Sequence, residues 1–277
     1  MSATITTQNL AATLKGQFWF DALTIDMVES ASPVASVRIA DGKLGDNLCR
    51  FIVVQPDANN LYPRARNGEV GLLEGWSIAK AVNQIILESK DEPVKKAIIA
   101  IVDVPSQAYG RREEALGIHQ ALAASVSAYA NARLNGHPVL ALLTGKAMSG
   151  AFLAHGYQAN QIFALDDPAV QVHAMGKAAA ARITLRTEEQ LDQLASDIPP
   201  MAYDLQSYTS LGMVEKVIKL KFTDTPDTED IDNVSKVLTD ALTNIDPNDT
   251  SLSKRFNGIN RAASRSVRKL LKEQWGN

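Results

Sequence analysis

The sequence predicts an α/β protein in which buried parallel strands alternate with helices. Two short runs, Ala97–Val102 and Val139–Leu143, contain only apolar residues, which is typical of strands covered on both faces. Between them, apolar residues recur at the spacing of one helix face from Ile118 to Tyr129. Strands joined by helices in this way pair in parallel through right-handed crossovers.

The composition is that of an ordinary globular chain. The chain has 277 residues, 45% of them apolar, and a net charge of −3, so its global charge does not favour nucleic acid or an anionic membrane. The single cysteine, Cys49, has no disulfide partner within the chain and fits a reducing compartment. No secretory signal and no apolar segment long enough to span a bilayer is visible. We therefore expect a cytoplasmic protein without nucleic-acid or membrane partners.

The first 54 residues predict one helix and one pair of strands. Leu14, Leu23 and the aromatic run Phe18–Phe20 predict a short helix whose aromatic face either docks on the core or anchors a partner. The alternating segment Val34–Ala40 and the segment Arg50–Val54 predict two strands. Turn-forming residues between these strands indicate a hairpin.

The central part of the chain predicts two strand–helix units and the start of a third. Apolar spacing predicts a helix over Gly71–Ser89. The strand Ala97–Val102 is followed by a loop and a long helix over Arg111–Leu134. The strand Pro138–Leu143 ends before a Thr-Gly pair, and a further helix begins near Ser149.

The remaining residues predict shorter elements and a charged C-terminal helix. The expected elements are strands at Gln161–Leu165, Val170–His173 and after residue 212, helices over 176–186 and 231–245, two short helices over 187–211, and an acidic linker over 221–230. Residues 253–277 predict a basic helix that either holds an acidic partner or forms a solvated face. We divide the chain into an N-terminal helical extension (1–30), a main domain (31–220) and a C-terminal linker with a basic helix (221–277).

The turn after Val139–Leu143 has the features of an oxyanion site. Ser149 is predicted to cap the following helix, and Gly150 and Ala151 carry almost no side chain, so that a ligand can approach the backbone. A helix start offers unpaired N–H groups and the positive end of the helix dipole. These groups stabilise a developing oxyanion, although a tight turn with small residues for packing explains the same pattern.

A second loop of the same kind follows the strand Ala97–Val102. Both loops lie between the carboxyl end of a strand and the start of a helix, where ligands gather in open α/β sheets. Backbone N–H groups at Gly110 and Arg111 are therefore candidates for a second oxyanion site. Tyr109 is expected either to donate a hydrogen bond there or to serve in packing.

Two histidines are candidates for proton transfer. His173 ends a short predicted strand just before a small-residue loop, and His155 lies about one turn into the helix that begins near Ser149. A structural or solvated role is the alternative for each. No motif has the spacing of a metal site, so none is predicted.

Four short motifs together resemble those of one enzyme family. Residues 103–117, DVPSQAYGRREEALG, match an Asp-x-Pro-Gly-Ala-x-x-Gly loop followed by paired acids, with Ser106-Gln107 in place of Gly-Ala. Residues 145–156, GKAMSGAFLAHG, match a turn ending in Ser-Gly-Gly-Ala, with Ala151 where a glycine is usual. Gly176 and the stretch LGMVEKV (211–217) follow in the same order. The set resembles the carboxyltransferase subunits of acyl-CoA carboxylases, and most specifically the gamma subunits of biotin-independent malonate decarboxylases.

The resemblance implies a fold, an activity and partners. The fold would be the crotonase-like (ClpP/crotonase) spiral of ββα units with a C-terminal helical extension. With a homologous beta subunit, the chain would convert a malonyl thioester on an acyl-carrier protein to the acetyl thioester and CO2. The acyl-carrier subunit would supply a prosthetic group similar to coenzyme A, this chain would bind no cofactor of its own, and an acyl-carrier transferase subunit would complete the set of partners. Gly145 and Gly176 would lie in the loops against that prosthetic group.

Two alternatives remain open at this stage. The same scaffold serves carboxyltransferase subunits that pass the carboxyl group to biotin on a separate chain. The missing glycines in the two loops also fit a non-catalytic subunit that completes the fold and docks the carrier protein. By its position in the family, the chain resembles the subunit that holds the carboxyl carrier, in which the loops would contact the carboxylate or departing CO2 rather than the thioester oxygen.

Overall fold

The structure is a computed structural model that describes residues 15–275. Its first elements are α1 (Lys15–Leu23), β1 (Val28–Ser30), β2 (Val37–Leu44), β3 (Asn47–Val54), α2 (Leu72–Glu88), β4 (Ala97–Val104), α3 (Arg111–Ala115) and α4 (Ile118–Leu134). The chain continues with β5 (Val139–Met148), α5 (Ser149–Ala154), β6 (Gln161–Leu165), β7 (Gln171–His173), α6 (Lys177–Thr184), α7 (Glu188–Asp197), α8 (Leu205–Ser210), β8 (Lys216–Ile218), α9 (Thr228–Asn244) and α10 (Ala262–Trp275). Short 3₁₀ turns lie at Ala65–Asn67, Pro199–Met201, Ser253–Asn257 and Ile259–Arg261.

The strands form one mixed sheet. Its order is β1-β2-β3-β4-β5-β6-β8, and β7 pairs with the last residues of β5. β1, β2 and β3 are antiparallel neighbours, whereas every pair from β3 to β8 is parallel. The predicted α/β class, the hairpin and the parallel pairing are confirmed. The three-residue strand β1 was not predicted, because it is too short to show an alternating pattern.

The two central strands form the middle of the core. Residues 97–102 of β4 and 139–144 of β5 are all at most 2% exposed, as expected for parallel strands covered on both faces. Helices α2 and α4 pack against each other, and Ile78, Val82 and Ile85 of α2 are fully buried. None of the helices within residues 15–275 has the length and apolar character that crossing a bilayer requires.

Two predicted boundaries in the central part are wrong, because contacts distant in sequence decide them. β5 does not end before the Thr-Gly pair but continues to Met148, because Lys146–Met148 pairs with β7. The long helix predicted over 111–134 is interrupted at Gly117. The φ of this glycine is +84°, a left-handed conformation that ends α3 and sets the direction of α4.

Helices from both ends of the chain pack into the main core. Trp19 and Phe20 of α1 are each 1% exposed. Of the two roles expected for the aromatic face, these two rings therefore dock on the core. Val234 and Leu238 of α9 are fully buried in the same cluster. This helix begins at residue 228, inside the predicted linker, because Asp227 caps it. By contrast, α10 has no buried residue.

The carboxylate of Asp103 connects three segments at the carboxyl end of β4. It accepts hydrogen bonds from the backbone N–H of Gly16 at the start of α1 (3.2 Å) and of Lys146 in β5 (3.0 Å). Burial raises the pKa of Asp103, and the two backbone bonds act in the opposite direction. A side chain at position 145 would collide with this carboxylate, so the glycine at that position is required by packing.

Replacement of Gly145 by alanine is expected to destabilise the protein by about 2–3 kcal/mol, because the added methyl group has to displace a hydrogen-bonded carboxylate. Gly176→Ala is the matched control. A Cβ at that position meets nothing within 4 Å, and its φ is −61°, so its effect should stay below about 1 kcal/mol. Urea unfolding of the purified variants measures both. Equal effects of the two changes would contradict the proposed packing role of Gly145.

His155 is part of the interior and not of a substrate site. Its Nε2 donates to the Ile101 carbonyl (2.9 Å), so its Nδ1 accepts from the Tyr129 hydroxyl (3.0 Å). The residue is fully buried, and burial lowers the pKa of His155 to about 4. The prediction that His155 transfers a proton to substrate is therefore wrong: both ring nitrogens are engaged within the chain, and no ligand can reach them.

This buried ring should make stability depend on pH. In the unfolded chain His155 binds a proton near its usual pKa of 6.5, whereas in the folded chain it does so only near 4. Its contribution to the free energy of unfolding is therefore complete above pH 6.5 and is lost as the pH falls towards 4, by roughly 3 kcal/mol.

We expect urea unfolding between pH 7 and pH 4.5 to show a smaller fall in stability for His155→Gln than for the unchanged protein. The exposed His119 on α4 provides the control, because its replacement does not remove a buried ring. His119→Gln should therefore show the same fall in stability as the unchanged protein. The assignment is wrong if His155→Gln and His119→Gln lose stability in parallel over this range.

Candidate active site

A cavity of about 460 Å³ lies at the turn from β5 into α5. Ser149, Gly150 and His173 all contribute to it, so the structure brings together three of the predicted site residues. His173 is there because β7 pairs with the end of β5, with Met148 opposite His173. The remaining wall is mainly apolar and aromatic: Phe152, Leu153, Tyr157, Val172, Ala174, Pro200, Ala202 and Tyr208.

A second cavity, of about 490 Å³, lies beside the first and carries positive charge. Three cationic side chains line it: Lys146, Lys177 and Arg182. Gly176 lies at its edge with open space around it. Lys177 also pairs with Asp192 at 2.7 Å, but both side chains are partly exposed, so this pair is weak and can rearrange. The cavity therefore suits an anionic group.

Ser149 begins α5 in a conformation that is unusual for its residue type. Its φ is +58°, in the left-handed region, which costs a residue with a Cβ about 1–2 kcal/mol. The prediction that Ser149 caps the helix is wrong. Met148 holds the cap position, and the Ser149 hydroxyl instead donates to Oε1 of Gln107 (3.1 Å).

The backbone amide of Gly150 is already bonded within the chain. It donates to the same Gln107 oxygen at 2.9 Å. The prediction of a bare oxyanion site over Ser149–Ala151 therefore fails for this conformation, because Gln107 fills the position that a substrate oxygen would take. Ala151 is fully buried and does not line the cavity.

His173 lies half-buried on the wall of the first cavity. Its ring stacks on Tyr203 with centroids 3.9 Å apart, and its Nδ1 lies 3.0 Å from the Met175 carbonyl oxygen. Burial lowers the pKa of His173, while backbone groups of Met175 and Met201 act in the opposite direction. Burial therefore favours the neutral ring, whereas the neighbouring backbone groups favour its protonated form.

The other predicted residues lie elsewhere. Tyr109 is 49% exposed and lies under the guanidinium of Arg64, 4.1 Å from its ring centroid, and not in the cavity. Gly110 and Arg111 begin the short helix α3 and do not line either cavity. Gly145 is covered by Asp103, so its backbone is not available to a cofactor.

Sequence reasoning missed the most informative contact, that of Gln107. The signal was present, because Ser106-Gln107 is the point at which the 103–117 motif departs from the family pattern. The sequence shows that Gln107 stands where the family pattern has alanine, but it does not show that this side chain reaches Ser149 and Gly150. The cationic cavity was missed because Lys177 and Arg182 belong to an alanine-rich segment without a charge motif.

Comparisons with known proteins show which family the chain resembles. Residues 65–275 match the family model described as malonate decarboxylase gamma subunit. A Pseudomonas malonate decarboxylase hetero-tetramer in complex with coenzyme A contains a chain 55% identical to this one, with a TM-score of 0.89, covering 94% of this chain and 99% of that one. For the Pseudomonas MdcD-MdcE hetero-dimer the identity is 52% and the TM-score 0.86, covering 95% and 99%.

One curated relative carries a different activity in its name. It is the malonyl-S-ACP:biotin-protein carboxyltransferase MADD of Malonomonas rubra, 34% identical over 185 residues, which make up 65% of this chain. The match spans only 63% of the length of that relative. The family model covers most of this chain, and the Pseudomonas chains match it almost from end to end. The chain therefore belongs to the malonate decarboxylase gamma subunit family.

Proposed function

We propose that this chain acts with a homologous beta subunit to decarboxylate a malonyl thioester carried on an acyl-carrier protein. The products are the acetyl thioester and CO2. The observation that carries the proposal is the pairing of a largely apolar cavity, with His173 on its wall, and an adjoining cavity lined by cations. Family membership and the Pseudomonas assemblies support the same assignment.

The apolar cavity provides the conditions in which a carboxylate loses CO2. Removal of water from the malonyl carboxylate raises its free energy, whereas the neutral CO2 that leaves needs no hydration. Lys146, Lys177 and Arg182 line the neighbouring cavity, where they attract the anionic substrate towards the apolar one. The cationic cavity therefore captures the anionic substrate, and the apolar cavity removes water from its carboxylate.

The reaction also needs one proton for each CO2 that is released. Loss of CO2 leaves the electron pair of the broken bond as an enolate, and its carbon takes a proton to become the acetyl methyl group. His173 is the candidate donor. An enolate beside its ring favours the protonated imidazole, which opposes the lowering of its pKa by burial.

We assign stabilisation of the thioester oxyanion to the partner subunit. In this chain the Gly150 amide is occupied by Gln107, so it does not face a substrate carbonyl. The amides of Gly110 and Arg111 stay a candidate second site, although they do not line the cavity. A complete set of catalytic groups then requires both subunits, and we expect this chain alone to show no turnover.

The cationic cavity also fits the prosthetic group expected on the carrier. Phosphates of a group similar to coenzyme A would lie against Lys177 and Arg182, and the open space at Gly176 leaves room for them. That group supplies the thiol that carries the malonyl unit. We further infer that the parallel strands and their crossovers form the crotonase-type spiral, and that an acyl-carrier transferase subunit loads the carrier.

Decarboxylation and carboxyl transfer can be separated in the assembled complex. We expect this chain, co-expressed with a homologous beta subunit and the acyl-carrier protein, to release CO2 from the malonyl thioester equally well with and without avidin. Each subunit assayed separately should be inactive. The biotin-dependent alternative, which the MADD similarity favours, instead requires avidin to stop the reaction and a biotin protein to restore it. CO2 release by the lone chain would contradict the assignment of the oxyanion site to the partner.

His173→Gln should lower kcat of the complex by about 100-fold or more while KM stays within threefold, because the amide cannot supply the proton. The exposed His119→Gln is again the control and should keep the kcat of the unchanged complex. Size-exclusion chromatography checks that the complex is intact, and CO2 release gives the rates. A His173→Gln complex with kcat within threefold of the unchanged enzyme would exclude His173 as the donor.

A further inference from the structure

The imidazole of His173 has an aromatic ring stacked on one of its faces. The phenol of Tyr203 lies nearly parallel to it, with 14° between the two planes and 3.9 Å between the ring centroids. At this separation the two rings are in van der Waals contact over the face of the smaller one. Rotation of the imidazole out of its plane would bring its edge into the phenol, so the stack limits its orientation.

Tyr203 is itself held by the backbone around it. Its carbonyl accepts a hydrogen bond at 3.4 Å from the N–H of Val172, the residue before the stacked histidine. On one side of Tyr203 lies the 3₁₀ turn Pro199–Met201. On the other side Asp204 caps α8, with its carboxylate accepting from the N–H of Ser207 at 2.8 Å. The phenol is therefore presented to the imidazole by a segment that is fixed at both ends.

The phenol lies behind the imidazole as seen from the apolar cavity. His173 lines that cavity, whereas Tyr203 does not and instead lines a third cavity of about 670 Å³. Lys177 also lines the third cavity, and its Nζ lies 5.6 Å from the centre of the phenol ring. Tyr203 therefore supports the imidazole without touching a molecule held in the apolar cavity, so any effect on chemistry there passes through His173.

The hydroxyl of Tyr203 does not explain the choice of this residue. Within residues 15–275 the buried hydroxyl oxygen has no hydrogen-bond partner. Burial of a hydroxyl without a partner costs folding free energy, so packing alone is served at least as well by phenylalanine. What the side chain contributes is its aromatic face. Such a face is electron-rich and attracts a cation, and the cation available on it is the protonated imidazole.

Charged and titratable groups surround the stack on several elements. They are Lys177 of α6, Glu188 and Asp192 of α7, Asp204 before α8, Tyr208 of α8, and Tyr157. Burial raises the pKa of Tyr203, and the charges of Glu188 and Asp192 act in the same direction, so the phenol is neutral when the histidine titrates. Replacement of Tyr203 leaves all these groups in place, so differences among its variants report on the ring.

We propose that Tyr203 is a positioning residue whose ring fixes the orientation of the His173 imidazole on the cavity wall and stabilises the protonated form that gives its proton to the enolate carbon. The proposal rests on the proposed function, in which His173 is that donor. Burial opposes the charge of the imidazolium, and the aromatic face offsets part of this opposition. The stack therefore keeps a larger fraction of His173 protonated before the transfer.

The kinetic test uses the assembled complex with changes at Tyr203. Tyr203→Leu and Tyr203→Met remove the aromatic face, whereas Tyr203→Phe keeps it. We expect kcat for CO2 release to fall by about tenfold or more in the Leu and Met variants while KM stays within threefold, because the donor loses orientation and charge stabilisation. The decline of kcat at high pH should begin about half a unit lower in these two variants. Tyr203→Phe should rescue both values.

The same changes in the His173→Gln background separate positioning from a general structural role. With the imidazole absent, Tyr203→Leu and Tyr203→Met should lower kcat no further than threefold, because the ring acts through His173. A structural role would lower kcat by the same factor in both backgrounds, and this result would overturn the proposal.

Histidine ring NMR of the full chain gives a readout that does not depend on turnover. The sequence has four histidines, and His173→Gln identifies the signal of His173. Its ring proton should be shifted upfield by the phenol in the unchanged protein and in Tyr203→Phe, and the pKa of His173 should be about half a unit higher there than in the Leu and Met variants. Equal shifts and equal titration in all four proteins overturn the proposal. CO2 release by the unchanged complex and its loss in His173→Gln test the proposed function separately.

Discussion

The partly buried carboxylate of Asp103 is the constraint on which the site depends. A carboxylate removed from water is stable only when hydrogen bonds replace its hydration, and here they come from Gly16 of α1 and Lys146 of β5. The bond to Lys146 holds β5 beside the end of β4 over its last residues. Together with the pairing of Lys146–Met148 to β7, it holds the last residues of β5 before the chain turns at Ser149, and the bond to Gly16 attaches α1 to the same carboxylate.

The loop that begins at Asp103 also contacts the turn between β5 and α5 through a second side chain. Four residues later, Gln107 bonds both donors of the Ser149–Gly150 turn, and Ala108 anchors the loop to Val70. Asp103 thus bonds the backbone near the end of β5, and Gln107 accepts hydrogen bonds from two donors of the turn that follows. Neither contact is local in sequence, because more than forty residues separate Asp103 from Lys146 of β5 and Gln107 from Gly150 of α5.

Local patterns were sufficient for the core but not for the site. The apolar runs at 97–102 and 139–143 identified β4 and β5, because a strand covered on both faces has a signature in its own residues. The extension of β5 to Met148 had no such signature, since it depends on pairing with β7. His155 shows the same limit: sequence placed it one turn into α5, but only the fold shows that this position points to Tyr129 and Ile101 in the core and not to the cavity.

The departures from the family motif acquire a physical meaning in this arrangement. A glycine lost from an oxyanion loop would ordinarily be taken as loss of function, because a side chain restricts access to the backbone. At position 107 the glutamine, which stands where the family pattern has alanine, brings its own carbonyl oxygen, and this oxygen accepts hydrogen bonds from both donors of the turn. What remains open to a substrate is a largely apolar cavity with a histidine and, beside it, a cavity lined by three cations. In the proposed function these groups favour loss of CO2 and protonation, and a second, complementary subunit stabilises the thioester oxyanion.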